Sequence, residues 1–214
     1  MSRNVRSSTL KKYIEDTNIR LSGNDRAFLK DLARVRIIDE KDANTFHYQD
    51  KKTGASRRLD KLCEAGILEC RMVNQPGRGR FKSYEFKTDR IATLFGGKRA
   101  VIGRKRNALH EVICSKIYFA EGRPETFIVE GDFNKDQKEL FRVADKTLSG
   151  RDSCIPDALF IRNNEVVVVE ADSGQYNKSQ ITNKQAAWSG FKQVWGQPNR
   201  ATARVDNSTV HRFK

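Results

Sequence analysis

The stretch from Ile155 to Asp172 constrains this chain more than any other. Two apolar runs, 157–162 and 165–171, flank Asn163-Asn164, a residue pair that tolerates the positive φ of a two-residue hairpin turn. With those asparagines as the turn, Arg162 stands opposite Glu165, and counting back sets Asp157 opposite Glu170 on one face of the sheet. Strand alternation carries Asp172 to that same face. Three carboxylates then converge at one end of an otherwise apolar hairpin. Like charges that close are costly, so a cation is their natural companion. An all-oxygen donor set suits Mg²⁺ or Mn²⁺. The plainer alternative is that these acids are solvated or paired with Lys or Arg, as acids at strand ends commonly are.

The host is strongly basic. Over 214 residues the formal net charge is +14, and residues 51–106 alone hold 16 Lys/Arg against 5 Asp/Glu. The rest is near neutral. A basic block on a folded domain is the footprint of a phosphate-backbone partner, so double-stranded DNA is the expected ligand; a solubilising surface normally mixes its signs. No apolar run approaches the roughly 18 residues of a membrane span. No apolar stretch follows the opening residues as in a secretory signal. Cys63, Cys70, Cys114 and Cys154 stand apart, without zinc-site spacing, which suits reduced thiols in a cytoplasmic protein. The length suits one large domain or two small ones.

Residues 22–100 read as three helices and a hairpin. Ser22-Gly23-Asn24-Asp25 offers caps for a first helix over 25–36 built on Phe28, Leu29, Leu32 and Ala33. A second is expected over 39–47, with Ala43 and Phe46 inward. A third, from Ala55 to Gly66, buries Leu59, Leu62 and Cys63 and leaves Arg57, Arg58 and Lys61 outside. Strands at 67–73 and 81–87 follow, around a loop holding Arg78 and Arg80 between glycines. Residues 1–21 form an arm or an extra helix. Beyond 101 the pattern predicts a helix over 104–120, a strand over 126–130, an irregular stretch over 131–154, the hairpin, a helix over 179–195 carrying Ile181, Trp188, Phe191 and Trp195, and a short strand over 201–205.

The first half, with Leu59, Leu62, Ala65, Gly66, Ile67 and Leu68 closing its third helix, resembles a winged helix-turn-helix domain. That resemblance implies Arg57, Arg58 and Lys61 in a DNA groove and Arg78 and Arg80 as wing contacts. Winged helices also serve as protein-interaction modules. The second half, with Pro156-Asp157 on one hairpin strand and Glu170-Ala171-Asp172 on the other, resembles the PD-(D/E)XK nucleases, which implies an α/β core on a mixed sheet. It also implies Asp157, Glu170 and the Ala171 carbonyl as metal ligands, and Glu111 as the acid of the preceding helix. The motif's usual lysine is Asp172 here. In such variants the lysine comes from the next helix, where Lys184 borders the apolar stripe and Lys178 is its rival.

Taken over most of its length, through Pro156-Asp157-Ala158, Glu170-Ala171-Asp172-Ser173-Gly174 and Lys184, the chain is similar to the replication-relaxation proteins and MobC-type plasmid mobilisation relaxases. That likeness implies a Mg²⁺- or Mn²⁺-dependent nickase acting at a plasmid origin, with a relaxosome accessory protein as partner. Catalytic roles would fall to Asp157, Glu170, Asp172, Lys184 and Glu111. Tyr176, just past the Glu-x-Asp strand, reads as a loop or stacking residue, and His110 as a packed helix histidine. The rival function is a non-catalytic DNA-binding accessory or replication regulator on a degenerate nuclease fold. A restriction or repair endonuclease would share the chemistry.

Overall fold

The computed structural model describes residues 12, 17, 19–49, 54–75, 79–98, 107–145, 155–201, 203–205 and 209–213. Most of the N-terminal arm lies outside the described residues. The chain is mixed α+β and divides into two compact units, the second beginning its main run at Asn107.

In the first unit, α1 (Gly23–Val35) starts from a capping box. Ser22 Oγ accepts from the Asp25 amide, while Asp25 accepts from the Ser22 amide. A three-residue strand, β1 (Ile37–Asp39), leads into α2 (Glu40–His47), whose N-cap is Asp39. The third helix, α3 (Ser56–Glu64), ends before Gly66, whose φ of 73° takes the chain out of the helical region. Strands β2 (Leu68–Gln75) and β3 (Gly79–Phe86) complete a sheet ordered β1-β3-β2, and α4 (Asp89–Leu94) follows. Phe28, Leu29, Leu32, Leu59, Leu62, Tyr84 and Phe86 fill the core. On α2, Ala43 is buried as expected. Phe46 is 38% exposed and His47 takes the inward position instead, which corrects the reading of that helix.

The second unit is a five-stranded mixed sheet ordered β4-β5-β6-β7-β8, with β4 (Ile128–Val129), β5 (Ala158–Arg162), β6 (Glu165–Ala171), β7 (Lys192–Pro198) and β8 (Thr209–Phe213). The first three strands are antiparallel; β7 runs parallel to β6, and β8 parallel to β7. The hairpin has the expected register. Asn163 and Asn164 take φ of 51° and 63°, and Arg162 pairs with Glu165 through to Ala158 with Val169.

Helix α5 (Ala108–Ala120) covers one face of the sheet. Its Tyr118 meets Phe127, which stacks on Phe160 of β5. It also lies directly on β7, since a Cβ at Gly196 would come within 2.7 Å of Ile113 and Ile117. On the opposite face Leu159 and Val168 pack with Phe133, Phe141 and Trp188. Phe141 belongs to α6 (Lys135–Asp145), and Trp188 caps α7 (Lys178–Ala187). Burying each such side chain contributes about 1.5–3 kcal/mol.

Three expectations are corrected by these elements. The stretch expected to be irregular contains α6, and its residues 146–154 lie outside the described set. The helix expected over 179–195 stops at Ala187; Ser189-Gly190 breaks it, and Trp195 belongs to β7. The described residues of 201–205 form no strand, and the last strand is β8.

Candidate functional site

The parity of the hairpin builds the site. Asp157 and Glu170 continue the Leu159/Val168 face past the last paired residues, so they share the side covered by α7 and Trp188. Lys184 and Trp188 are four residues apart, one above the other on a helical face. Both reach the same carboxylate. Lys184 Nζ donates to Glu170 Oε2 at 2.7 Å, and Trp188 Nε1 to Glu170 Oε1 at 2.8 Å. Helix α7 is held in place by its own capping box, Asn177 with Gln180.

Asp157 is met from the other side. The Ala171 amide donates to its Oδ2 at 2.7 Å, and His110 Nε2 lies 2.8 Å from its Oδ1. His110 sits in the first turn of α5. Asn107, that helix's N-cap, donates from Nδ2 to Ser173 Oγ and so ties the helix start to the loop after β6. Glu111, on the same turn, is buried and acts electrostatically on His110.

Two carboxylates and two cations thus form a quartet in which Glu170 is buried and Asp157, His110 and Lys184 are half-buried. Burial opposes a charged His110 ring, but Asp157 together with Glu111 and Glu170 outweighs it and lifts the histidine to about 9. Burial likewise opposes ionisation of Asp157; His110, Lys184 and the Ala171 amide more than offset this and hold it below the usual carboxylate range. Glu170 goes the other way. Burial, then the adjacent Asp157, push it up to about 8 against the pull of Lys184 and Trp188. Lys184 is disfavoured by burial yet held above its ordinary value by Glu170 and Asp157. Its Nζ also lies 5.4 Å from the centre of the Tyr176 ring. Burial and Asp157 raise the Tyr176 hydroxyl, which opposes the phenolate a nucleophile would need.

Asp172 does not join them as strand alternation suggested. Strand β6 ends at Ala171, and Asp172 Oδ1 accepts from the amides of Gly174, Gln175 and Tyr176 while Oδ2 accepts from Gln197 Nε2. It organises the loop that carries Tyr176. Among the described residues no group of three His, Cys, Asp or Glu side chains is arranged to hold a metal ion. The expected trio of carboxylates is therefore a pair. His110, expected as a packed helix histidine, is paired with Asp157, a partner 47 positions away that no local spacing marks.

In the first unit the basic residues divide. Arg58 was expected in a groove, but Nε and Nη2 donate to Asp25 at 2.9 and 2.7 Å and Nη2 also reaches the Arg20 carbonyl. It joins α3 to α1. Burial opposes ionisation of Asp25, and Arg58 with Ser22 reverses this, so its carboxyl is lowered. Arg71 is likewise committed to Glu85, and Lys82 to Asp60. Arg57 and Lys61 on α3 and Arg80 on β3 are exposed. Arg78 lies outside the described residues. No described helix is long and apolar enough to cross a membrane. The chain matches no family model, and no curated protein or solved structure is significantly similar to it.

Proposed function

We propose that this protein is a DNA nickase: its first unit binds duplex DNA as a winged helix, and its second hydrolyses a phosphodiester at the Asp157–Glu170 pair. The observation that carries the reading is Lys184 Nζ, 2.7 Å from Glu170 with Asp157 alongside. It restores, from α7, the acid–acid–lysine set whose lysine is missing from the hairpin. The order α5, β4, α6, β5, β6, α7, β7, with β7 parallel to β6, supports a PD-(D/E)XK-like core with one helix inserted after its first strand. A plasmid transfer or replication origin is the proposed substrate, within a relaxosome.

The donor chemistry fits a hard divalent ion in kind: the Asp157 and Glu170 carboxylates, with the Ala171 carbonyl as a further oxygen, would hold it. Mg²⁺ or Mn²⁺ bound there would supply Lewis acidity toward water and the phosphate oxygens. The chain's own residues do the rest. Lys184 places a fixed positive charge where negative charge develops on the phosphoryl oxygens. His110 holds the orientation of Asp157, and Trp188 that of Glu170. Tyr176 shields Lys184 and presents a ring to a base or sugar. Arg57, Lys61 and Arg80 neutralise backbone phosphates, so affinity falls steeply with salt.

One observation favours a second reading, a non-catalytic DNA-binding accessory. Each of the four oxygens of Asp157 and Glu170 already has a donor, as in a structural ion-pair network. Nicking of supercoiled plasmid in Mg²⁺ or Mn²⁺, lost in Asp157→Ala while DNA binding persists, supports the enzyme. Absence of nicking by the wild type on origin-bearing plasmid supports the accessory.

A further inference from the structure

The first unit contains a cavity of about 650 Å³ that sets Arg57 and Lys61, the α3 cations proposed above to meet DNA, beside Arg20 and Arg58. Its walls come from the segment before α1, from Tyr48 after α2, and from the exposed side of α3. Four of the residues lining it are cations: Arg20, Arg57, Arg58 and Lys61. The acid bonded to Arg58, Asp25, is fully buried and spent. It accepts from Ser22, Tyr48 and Arg58, so it neutralises one guanidinium and no more. That bond fixes Arg58 through Nε and Nη2 and leaves Nη1 outside the Asp25 bonds. Arg20, Arg57 and Lys61 have no acidic partner among the described residues.

Three uncompensated cations around one concavity repel each other, and a solubilising surface does not need them gathered. An anion relieves that repulsion, and low-dielectric walls strengthen its attraction. Arg58, held by Asp25 and the Arg20 carbonyl, keeps its Nη1 as a fixed charged donor for a phosphate oxygen. The volume exceeds what one inorganic ion needs and falls in the range of a small organic ligand.

We propose that this cavity is a phosphate-ester site, seating backbone phosphates of a bound duplex beside α3. A free nucleotide is the other source of the same chemistry. The duplex form of the proposal rests on the reading of this unit as DNA-binding; the nucleotide form does not.

The test uses the full chain and the double variant Arg20→Gln/Lys61→Gln, which leaves the Asp25–Arg58 bond intact. Arg26→Gln/Lys30→Gln, exposed cations of α1 outside the cavity, is the charge-matched control. Anisotropy of a labelled short duplex is titrated across salt concentrations, and ATP binding is measured by calorimetry. If the cavity seats DNA, the cavity variant weakens duplex binding on the order of tenfold beyond the control and lowers the slope of log K against log salt by about one per lost cation. If duplex binding is unchanged but ATP binds the wild type and not the cavity variant, the site stands with a free nucleotide as its ligand. Equal losses in both variants with no ATP binding overturn the proposal. A wild type that binds no duplex removes the DNA reading alone, and the ATP measurement then decides the cavity.

Discussion

Each unit buries a carboxylate against a cation, and the two do opposite things with it. Asp25 accepts bonds from Ser22, Tyr48 and Arg58, faces no second acid among the described residues, and is lowered below the ordinary carboxylate range. It joins α1, α2 and α3 and is content as an anion. Glu170 has only Lys184 and Trp188 as donors, stands beside Asp157, and is raised to about 8. One arrangement serves the fold. The other sets two acids beside each other and raises one of them, a pattern that supports the proposed catalytic reading.

Removing the acid of each pair should break this comparison most visibly. Asp25→Ala removes the acceptor of the half-exposed Arg58, of the buried Tyr48 hydroxyl and of the α1 capping box, and is expected to cost about 2–4 kcal/mol by denaturant unfolding. Glu170→Gln keeps the shape and removes one of two adjacent acids but turns an amide nitrogen toward Lys184 or Trp188, so it should cost less than Asp25→Ala, about 1–2 kcal/mol, while nicking disappears. A Glu170→Gln protein as damaged as Asp25→Ala would make the second quartet structural too.

Lys184→Met sharpens the point on the cation side. Nicking should fall on the order of 10²–10³-fold, the loss seen when one charge-stabilising donor is removed from an active site. Arg58→Met should instead lower stability and leave the residual folded protein's cleavage rate per bound duplex unchanged.

Smaller effects come from pH. His110 and Glu170 hold protons more tightly folded than unfolded, at about 9 and about 8. Their contribution is complete below the ordinary values of those groups and is lost as pH rises through 8 to 9. Asp25, being lowered, contributes above the ordinary carboxylate range and loses its contribution as pH falls. Both tryptophans, Trp188 and Trp195, are in the second unit. Their fluorescence should therefore report the alkaline loss selectively, and His110→Asn with Glu170→Gln should flatten it. An alkaline profile identical to wild type in that double variant would refute the assignment.

The hairpin was legible because its information is local. The Asn pair sets the turn, and the period of two then dictates every partner down to Asp157 and Glu170. Lys184 was legible through helical spacing, since Ile181 and Trp188 bracket it. Asp172 misled because alternation holds only while the strand lasts, and the strand stops one residue earlier, where backbone amides capture the carboxylate. The false helix over 179–195 came from apolar residues at helical spacing by coincidence; Gly190 was the stop signal. Helix α6 had a readable start as well, for Asn134 and Gln137 form a reciprocal cap. Arg58 and His110 were beyond local reading. Their roles depend on Asp25 and Asp157, which the fold alone brings to them.

The central claim is that Asp157 and Glu170 do chemistry on DNA. Its most direct test is cleavage of supercoiled origin-bearing plasmid by wild type, Asp157→Ala, Glu170→Gln and Lys184→Met, with Mg²⁺, Mn²⁺ or EDTA, read on native and denaturing gels. The account predicts metal-dependent open circles without protein-linked ends from the wild type alone, with all four proteins binding the duplex equally. Nicking by Asp157→Ala at the wild-type rate, or none by the wild type in either metal, would contradict it.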